Sequence, residues 1–246
     1  MTRYAHDSVV PAPGSMLPKK QQVAGMFDNI AGRYDFLNRF LSAGIDQGWR
    51  RKALSQLAGR QLDHLLDVAT GTGDVAIMAN RLLKPKKITG IDISEGMIEV
   101  GKEKIRKVDM DNITLLKGDS EAISFPDGSF DAVTVAFGVR NFQDLEKGLR
   151  EIRRVLKPGG KLVVLEFSKP KSWLIRKFYD IYMKVVCPYA GRLFSKNKAA
   201  YQYLDHSIKK FPEGKNFTRI LETTGFKETY SKPLTLGICS IYCGIK

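Results

Sequence analysis

Two periodicities alternate along most of this chain. Short, largely apolar runs at 65–69, 87–91, 113–117, 130–137 and 161–167 read as buried strands. Between them, apolar residues recur every three or four positions over 75–83, 95–108 and 145–155, the spacing of amphipathic helices. Strands alternating with helices predict an α/β fold with a mostly parallel sheet. Upstream, Val23, Met26, Phe27, Ile30, Tyr34, Leu37, Phe40 and Leu41 keep helical spacing, interrupted by Gly25 and Gly32, and a second helix over 49–57 leads into the first strand. Downstream, residues 168–215 break the alternation with aromatic and basic residues. A helix over 216–224 ends at Gly225, and the apolar segments 226–231 and 236–245 are close enough to pair as a hairpin. That order puts an antiparallel strand at the end of a parallel sheet.

The turns support this partition. Pro126-Asp127-Gly128 precedes the fourth strand, and Lys157-Pro158-Gly159-Gly160 is a strong breaker ahead of the fifth. Residues 1–20, with Pro11, Pro13, Gly14 and Pro18, are expected to form a flexible arm. Residues 21–246 then make a single domain, with an N-terminal helical cap over 21–60. With 246 residues, 43% of them apolar, that domain can bury a sizeable core.

Composition narrows the setting. No apolar run reaches the roughly 18 residues that span a bilayer, and Arg3, His6 and Asp7 do not begin a signal peptide, so a cytoplasmic location is expected. Cys187, Cys239 and Cys243 lack metal-type clustering and read as reduced packing residues, the last two on one strand face. The formal charge is +14, and residues 169–215 carry eleven Lys or Arg against three acids. Such a segment suits an anionic partner, a lipid surface or nucleic acid, although a merely solvated basic face has the same composition.

The candidate chemistry gathers at strand ends. Leu65-Leu-Asp-Val-Ala-Thr-Gly-Thr-Gly-Asp-Val75 ends a strand in an acidic, glycine-rich turn that opens a helix. Gly71 and Gly73 allow positive φ and close approach of a ligand, and Asp67 offers an acceptor, so the turn suits a nucleoside. Gly71-x-Gly73-x-x-Ala76 also fits a dinucleotide fingerprint, and this motif alone leaves both open. Asp92 closes the second strand, where an open α/β sheet presents a ribose-binding acid; its bland alternative, a helix cap, can be filled by Ser94. Asp119-Ser120 closes the third strand at the same edge, within reach of an adenine ring or as an ordinary turn. His206 and the other histidines have no partners at metal-ligand spacing, so no metal is expected.

Acidic or polar turns at one sheet edge, Pro-Gly-Gly before strand five and a terminal hairpin together resemble the class I S-adenosylmethionine-dependent methyltransferases over roughly 62–168 and 216–246. A narrower resemblance covers nearly the whole chain after the arm. Met26-Phe-Asp-Asn-Ile-Ala-Gly-Arg-Tyr-Asp-Phe-Leu-Asn38, Ser42-Ala-Gly-Ile-Asp-Gln-Gly-Trp-Arg50, Phe137-Gly-Val-Arg-Asn141, Leu165-Glu-Phe-Ser-Lys-Pro170 and Tyr203-Leu-Asp-His-Ser-Ile208 with Phe211-Pro212 look like signatures of the menaquinone/ubiquinone biosynthesis C-methyltransferases.

That resemblance implies a Rossmann-like, mostly parallel seven-stranded sheet with an antiparallel terminal strand and helices on both faces. It implies S-adenosylmethionine as methyl donor, held at Thr72, Asp92, Asp119 and Ser120, and a polyprenylated demethylmenaquinol as acceptor. The implied catalytic residue is Arg140, after strand four; an always-charged guanidinium suits stabilisation of a phenolate better than proton abstraction. Pairing with an acid such as Asp144 is its structural alternative. Tyr34 and Phe27 would cap the cofactor, and the same spacing would equally make them core. The segment 168–215 would meet the substrate and an anionic membrane surface, with a homodimer possible and no nucleic acid expected. Two positions depart from the pattern: Ala136 stands where the family often has Ser, and Asp46 where ubiquinone-branch members often have His, which leans toward the menaquinone branch. Benzoquinol methylation, an RNA-binding methyltransferase and a nicotinamide oxidoreductase are the rival readings.

Overall fold

In the computed structural model, which describes residues 4–170, 172, 173, 177 and 198–246, the apolar runs line up in one sheet. Its strands are β1 (His64–Val68), β2 (Lys87–Asp92), β3 (Ile113–Lys117), β4 (Phe130–Ala136), β5 (Leu156–Phe167), β6 (Lys227–Leu234) and β7 (Cys239–Ile245), in the order β3-β2-β1-β4-β5-β7-β6. The first five are mutually parallel, and β7 runs antiparallel to both β5 and β6. The alternating side-chain direction of a strand divides the core in two. Leu65, Ile88, Val163, Cys239 and Cys243 face one side, where they meet Ala76 and Ile98. Leu66, Val133, Val164 and Tyr242 face the other and meet Leu149 and Phe217. The helices that supply those partners are α4 (Asp74–Leu83), α5 (Glu95–Lys107), α6 (Leu145–Val155) and α8 (Lys215–Thr223), while α7 (Lys198–Lys210) precedes the last of them.

Capping fixes where α5 and α6 begin. Ser94 Oγ accepts the Met97 N–H at 3.2 Å, and Asp144 Oδ1 accepts the Lys147 N–H at 2.9 Å. Asp144 is therefore spent as a cap. Ahead of the sheet, α1 (Lys19–Ile30), a 3-10 turn (Ala31–Arg33), α2 (Tyr34–Ser42) and α3 (Ile45–Leu54) form the helical cap.

Three features differ from the reading of the sequence. First, β5 begins at Leu156, so Lys157-Pro158-Gly159-Gly160 lies within it as a bulge. The register jumps from Phe130↔Leu156 to Ala132↔Lys161, with Gly159 at φ +74°. The breaker shifts the pairing without ending the strand. Second, β6 continues to Leu234, and Thr235 and Leu236 turn the hairpin with positive φ. Third, within the arm, His6 is wholly buried against Phe211 and the Tyr4 hydroxyl donates to Glu146. Much of the basic, aromatic segment, including Cys187, lies outside the described residues.

Candidate active site

The carboxyl ends of β2, β3 and β4 and the glycine turn after β1 surround one cleft. Parallel strands feeding short turns into helices place every such turn at the same edge, which is where open α/β sheets bind ligands. Gly71 and Asp92 line one side of the cleft. Gly118, Asp119, Ser120 and Glu121 line another, and the turn from Ala136 to Gly138 forms its floor together with Asn141. Phe27 and Tyr34 close it from the cap, their rings edge to face at 5.9 Å. Gly71 has φ +56°, and a Cβ added there would stand 3.9 Å from the Tyr34 ring, so the turn and the aromatic cover are in close register.

Asp92 is nearly buried. Its two oxygens accept the Gly71 N–H at 2.8 Å and the Ser94 N–H at 2.9 Å, so each keeps a lone pair for a further donor. Burial raises its carboxyl above the ordinary range, against the pull of those amides. Asp119 Oδ1 accepts the Glu121 N–H, and Lys20 from α1 donates to Oδ2 at 2.8 Å. Burial alone would raise the Asp119 carboxyl, but Lys20 and the amide outweigh it, and it stands below its ordinary value.

Four of the residues singled out from the sequence, Asp67, Thr72, Gly73 and Arg140, are not among the described residues that line the cleft. Asp67 accepts hydroxyl bonds from Thr70 and Thr134, both at 2.6 Å, and is absent from the lining. Burial pushes its carboxyl up to about 6 despite those bonds. The Thr72 hydroxyl donates to Asp35 of α2 at 2.6 Å and accepts from Lys104. Gly73 has φ +78°, and a Cβ there would meet Leu115 at 3.3 Å, so this glycine serves the turn into α4.

Arg140 is 6% exposed, on the 3-10 turn Val139–Asn141 that follows β4. Its partner is Glu166, not Asp144: Nη1 lies 2.7 Å from Glu166 Oε1 and 2.6 Å from the Phe137 carbonyl oxygen. Burial opposes its charge, but Glu166 overcomes that penalty and holds the guanidinium pKa above the usual value. The Arg140 Nε is buried with no hydrogen-bond partner. Next to it, Tyr203 donates to Asn141 at 3.0 Å, and burial raises its phenol.

With this geometry in place, likeness to known proteins decides the assignment: the model of the ubiE/COQ5 methyltransferase family matches residues 15–246. The chain belongs to that family. Among relatives of this ubiE/COQ5 chain, a Bacteroides fragilis protein named demethylmenaquinone methyltransferase is 48% identical over 93% of the chain and 94% of its own length. A Geobacter sulfurreducens protein named ubiquinone/menaquinone biosynthesis C-methyltransferase UbiE is 45% identical over 93% and 90%. At the level of fold, a putative methyltransferase solved with the Haloferax volcanii Trm112 activator superposes with a TM-score of 0.65 at 17% identity, covering 89% of this chain and 96% of that one. Haemonchus contortus phosphoethanolamine N-methyltransferase 2, solved with S-adenosyl-L-methionine, gives 0.66 at 16% identity over 95% and 61%.

The ubiE/COQ5 chain also uses residues that the sequence reading passed over. Asp28 of α1 accepts the Ser94 hydroxyl at 2.6 Å and the Gly96 N–H at 2.9 Å, and Lys104 pairs with both Asp35 and Asp74. Glu121 accepts the N–H groups of Gln143 and Asp144. Asp28 and Asp35 both lie in the signature Met26–Asn38 quoted above, which gave neither a role of its own. Lys20 and Glu121 left no signal. Among the described residues, no group of His, Cys, Asp or Glu is placed to hold a metal, and no helix is long and apolar enough to cross a membrane.

Proposed function

We propose that this chain transfers the methyl group of S-adenosylmethionine to a ring carbon of a polyprenylated demethylmenaquinol, giving menaquinol. The near-full-length likeness to relatives named demethylmenaquinone methyltransferase carries the reading. The cleft fits the donor. Asp92 keeps acceptor capacity for ribose hydroxyls, Ile93, Met97 and Phe142 offer apolar faces for a purine, and Asp119 and Ser120 stand at its edge.

Bound there, S-adenosylmethionine supplies an electrophilic methyl group. The chain's task is then to make the ring carbon nucleophilic, which requires the quinol to lose a phenolic proton. Phenols titrate near pH ~10, so lowering that value by three units corresponds to roughly 4 kcal/mol of stabilisation. Arg140, kept charged by Glu166 and with an unused Nε, is suited to stabilise the phenolate. After the methyl group is bonded, the ring carbon releases its proton and aromaticity returns.

An anaerobic assay with radiolabelled methyl donor on extracted demethylquinols, with product identification, tests the reading. Labelled menaquinol is the expected product, and labelling of oxidised quinone at a comparable rate would overturn the mechanism. The related benzoquinol methylation is the second reading, favoured by relatives named for both quinones; the same assay with both quinols separates them. So apolar a substrate dissolves in a membrane. We infer that the basic segment 168–215 meets an anionic lipid surface from the cytoplasmic side, and that nucleic acid is not a partner.

A further inference from the structure

The cleft poses a charge problem for the donor proposed above. Its lining includes Asp92, Asp119 and Glu121, and the one cation among its described lining residues, Lys20, is already paired with Asp119 and with Glu121. An amino-acid carboxylate entering such a site needs a positive partner with hydrogen-bonding capacity to spare. Arg140, whose Nη1 is committed to Glu166 and to the Phe137 carbonyl, also has an unpartnered Nε, but the reading above assigns that side chain to the quinol.

Arg50, on α3, is a second guanidinium buried near the cleft among the described residues, although it is not itself a lining residue. It is 8% exposed, and its Cζ stands 5.7 Å from the centroid of Phe137, a lining residue. Its charge acts on Tyr34, which covers the glycine turn, and on Asp67 and Asp74, which lie on either side of that turn in sequence. The Nε atom is fully buried without a hydrogen-bond partner. Asp46, whose Oδ1 accepts the Ser42 hydroxyl, stands 3.4 Å from that nitrogen through Oδ2, an ion pair without a hydrogen bond. The side chain is thus held in place with an unused donor, next to the Phe137 side of the cleft.

We propose that Arg50 anchors the amino-acid carboxylate of the methyl donor, an inference that rests on the S-adenosylmethionine reading. The guanidinium supplies the positive charge that the acidic lining lacks, and Asp46 acts as its positioning residue. Tyr34 and Phe137 exclude water around the contact, which strengthens it.

Isothermal titration of the full-length chain tests this with two ligands, S-adenosylhomocysteine and its decarboxylated form, which differ only by the carboxylate. The wild type is expected to prefer the first. Arg50→Met should weaken S-adenosylhomocysteine by about 10- to 100-fold, the loss of one charge-assisted contact, and leave the decarboxylated ligand unchanged. Arg50→Lys keeps charge but not the planar fork and should fall between; it carries the test alone if the Met variant does not fold. Equal losses for both ligands, or none, would overturn the role of Arg50, as would a wild type that does not distinguish them. A wild type that binds neither ligand refutes the donor reading itself, which is a different result.

Discussion

Asp67 and Asp92 end neighbouring strands and have opposite duties. Asp92 opens on the cleft with one backbone N–H on each oxygen, whereas Asp67 is enclosed between two threonine hydroxyls. Asp92→Ala should therefore weaken S-adenosylhomocysteine by about 10- to 100-fold in calorimetry, with the fold retained. Thr134 sits directly across from Asp67 in the β1–β4 register, a cross-strand pairing that depends on strand order and leaves no local mark in the sequence. Arg140 teaches the same lesson: Asp144 is near in sequence, but Glu166 on β5 is near in space. Arg140→Lys, then Arg140→Met, should lower single-turnover methyl transfer in that order, measured on anaerobic quinol. Cofactor affinity should hold, because a contact made mainly in the transition state appears in the chemical step.

At the scale of elements, the cap is fastened to the turns it covers. Lys20 reaches the turn after β3, Asp28 the turn after β2 and Asp35 the turn after β1. Asp28→Ala removes the acceptor for both Ser94 and Gly96, and faster amide hydrogen exchange over 19–30 is the expected readout, with about 1–3 kcal/mol of local stability lost. Close packing holds α5 to the glycine turn from the other side. A Cβ on Gly101 would come 2.5 Å from Leu115 and 3.1 Å from the Thr72 backbone, so Gly101→Ala should destabilise by about 1–3 kcal/mol in urea melts. The strands and helices themselves were legible because burial imposes periods of two and of three to four on the sequence. The cap's polar fastenings were not, since one Asp or Lys far from its partner disturbs no period. The bulge at Pro158 shows a third case: a breaker reports that regular pairing fails, but not whether the strand ends or resumes.

For the whole molecule, two buried groups set opposing responses to pH. His6 has its pKa lowered to about 4, first by burial and then by Lys19, so the stability it supports is present above pH 6.5 and is lost as pH falls toward 4. Asp67, raised to about 6 by burial, does the reverse: its contribution is full below pH 3.8 and is lost as pH rises through 6. Each shift corresponds to about 3 kcal/mol, so between pH 4 and 6.5 they largely cancel. Denaturation of His6→Gln should show stability falling as pH rises across that window, and Asp67→Asn should show it rising; parallel curves for the two variants would contradict both assignments.

The place of β7 also bears on how the chain acquires its structure. Residues 239–245 fill the gap between β5 and β6, and Lys246 then closes the bulge, exchanging backbone bonds with Gly159 and Gly160 and donating its ammonium to the Arg154 and Leu156 carbonyls. During synthesis, β5 therefore leaves the ribosome with one hydrogen-bonding edge open, and that edge stays open for some seventy residues until its partner appears. The sheet cannot be completed vectorially. A nascent chain arrested before Cys239 carries an exposed, apolar strand edge, making it a substrate for chaperones or for aggregation rather than a smaller working enzyme.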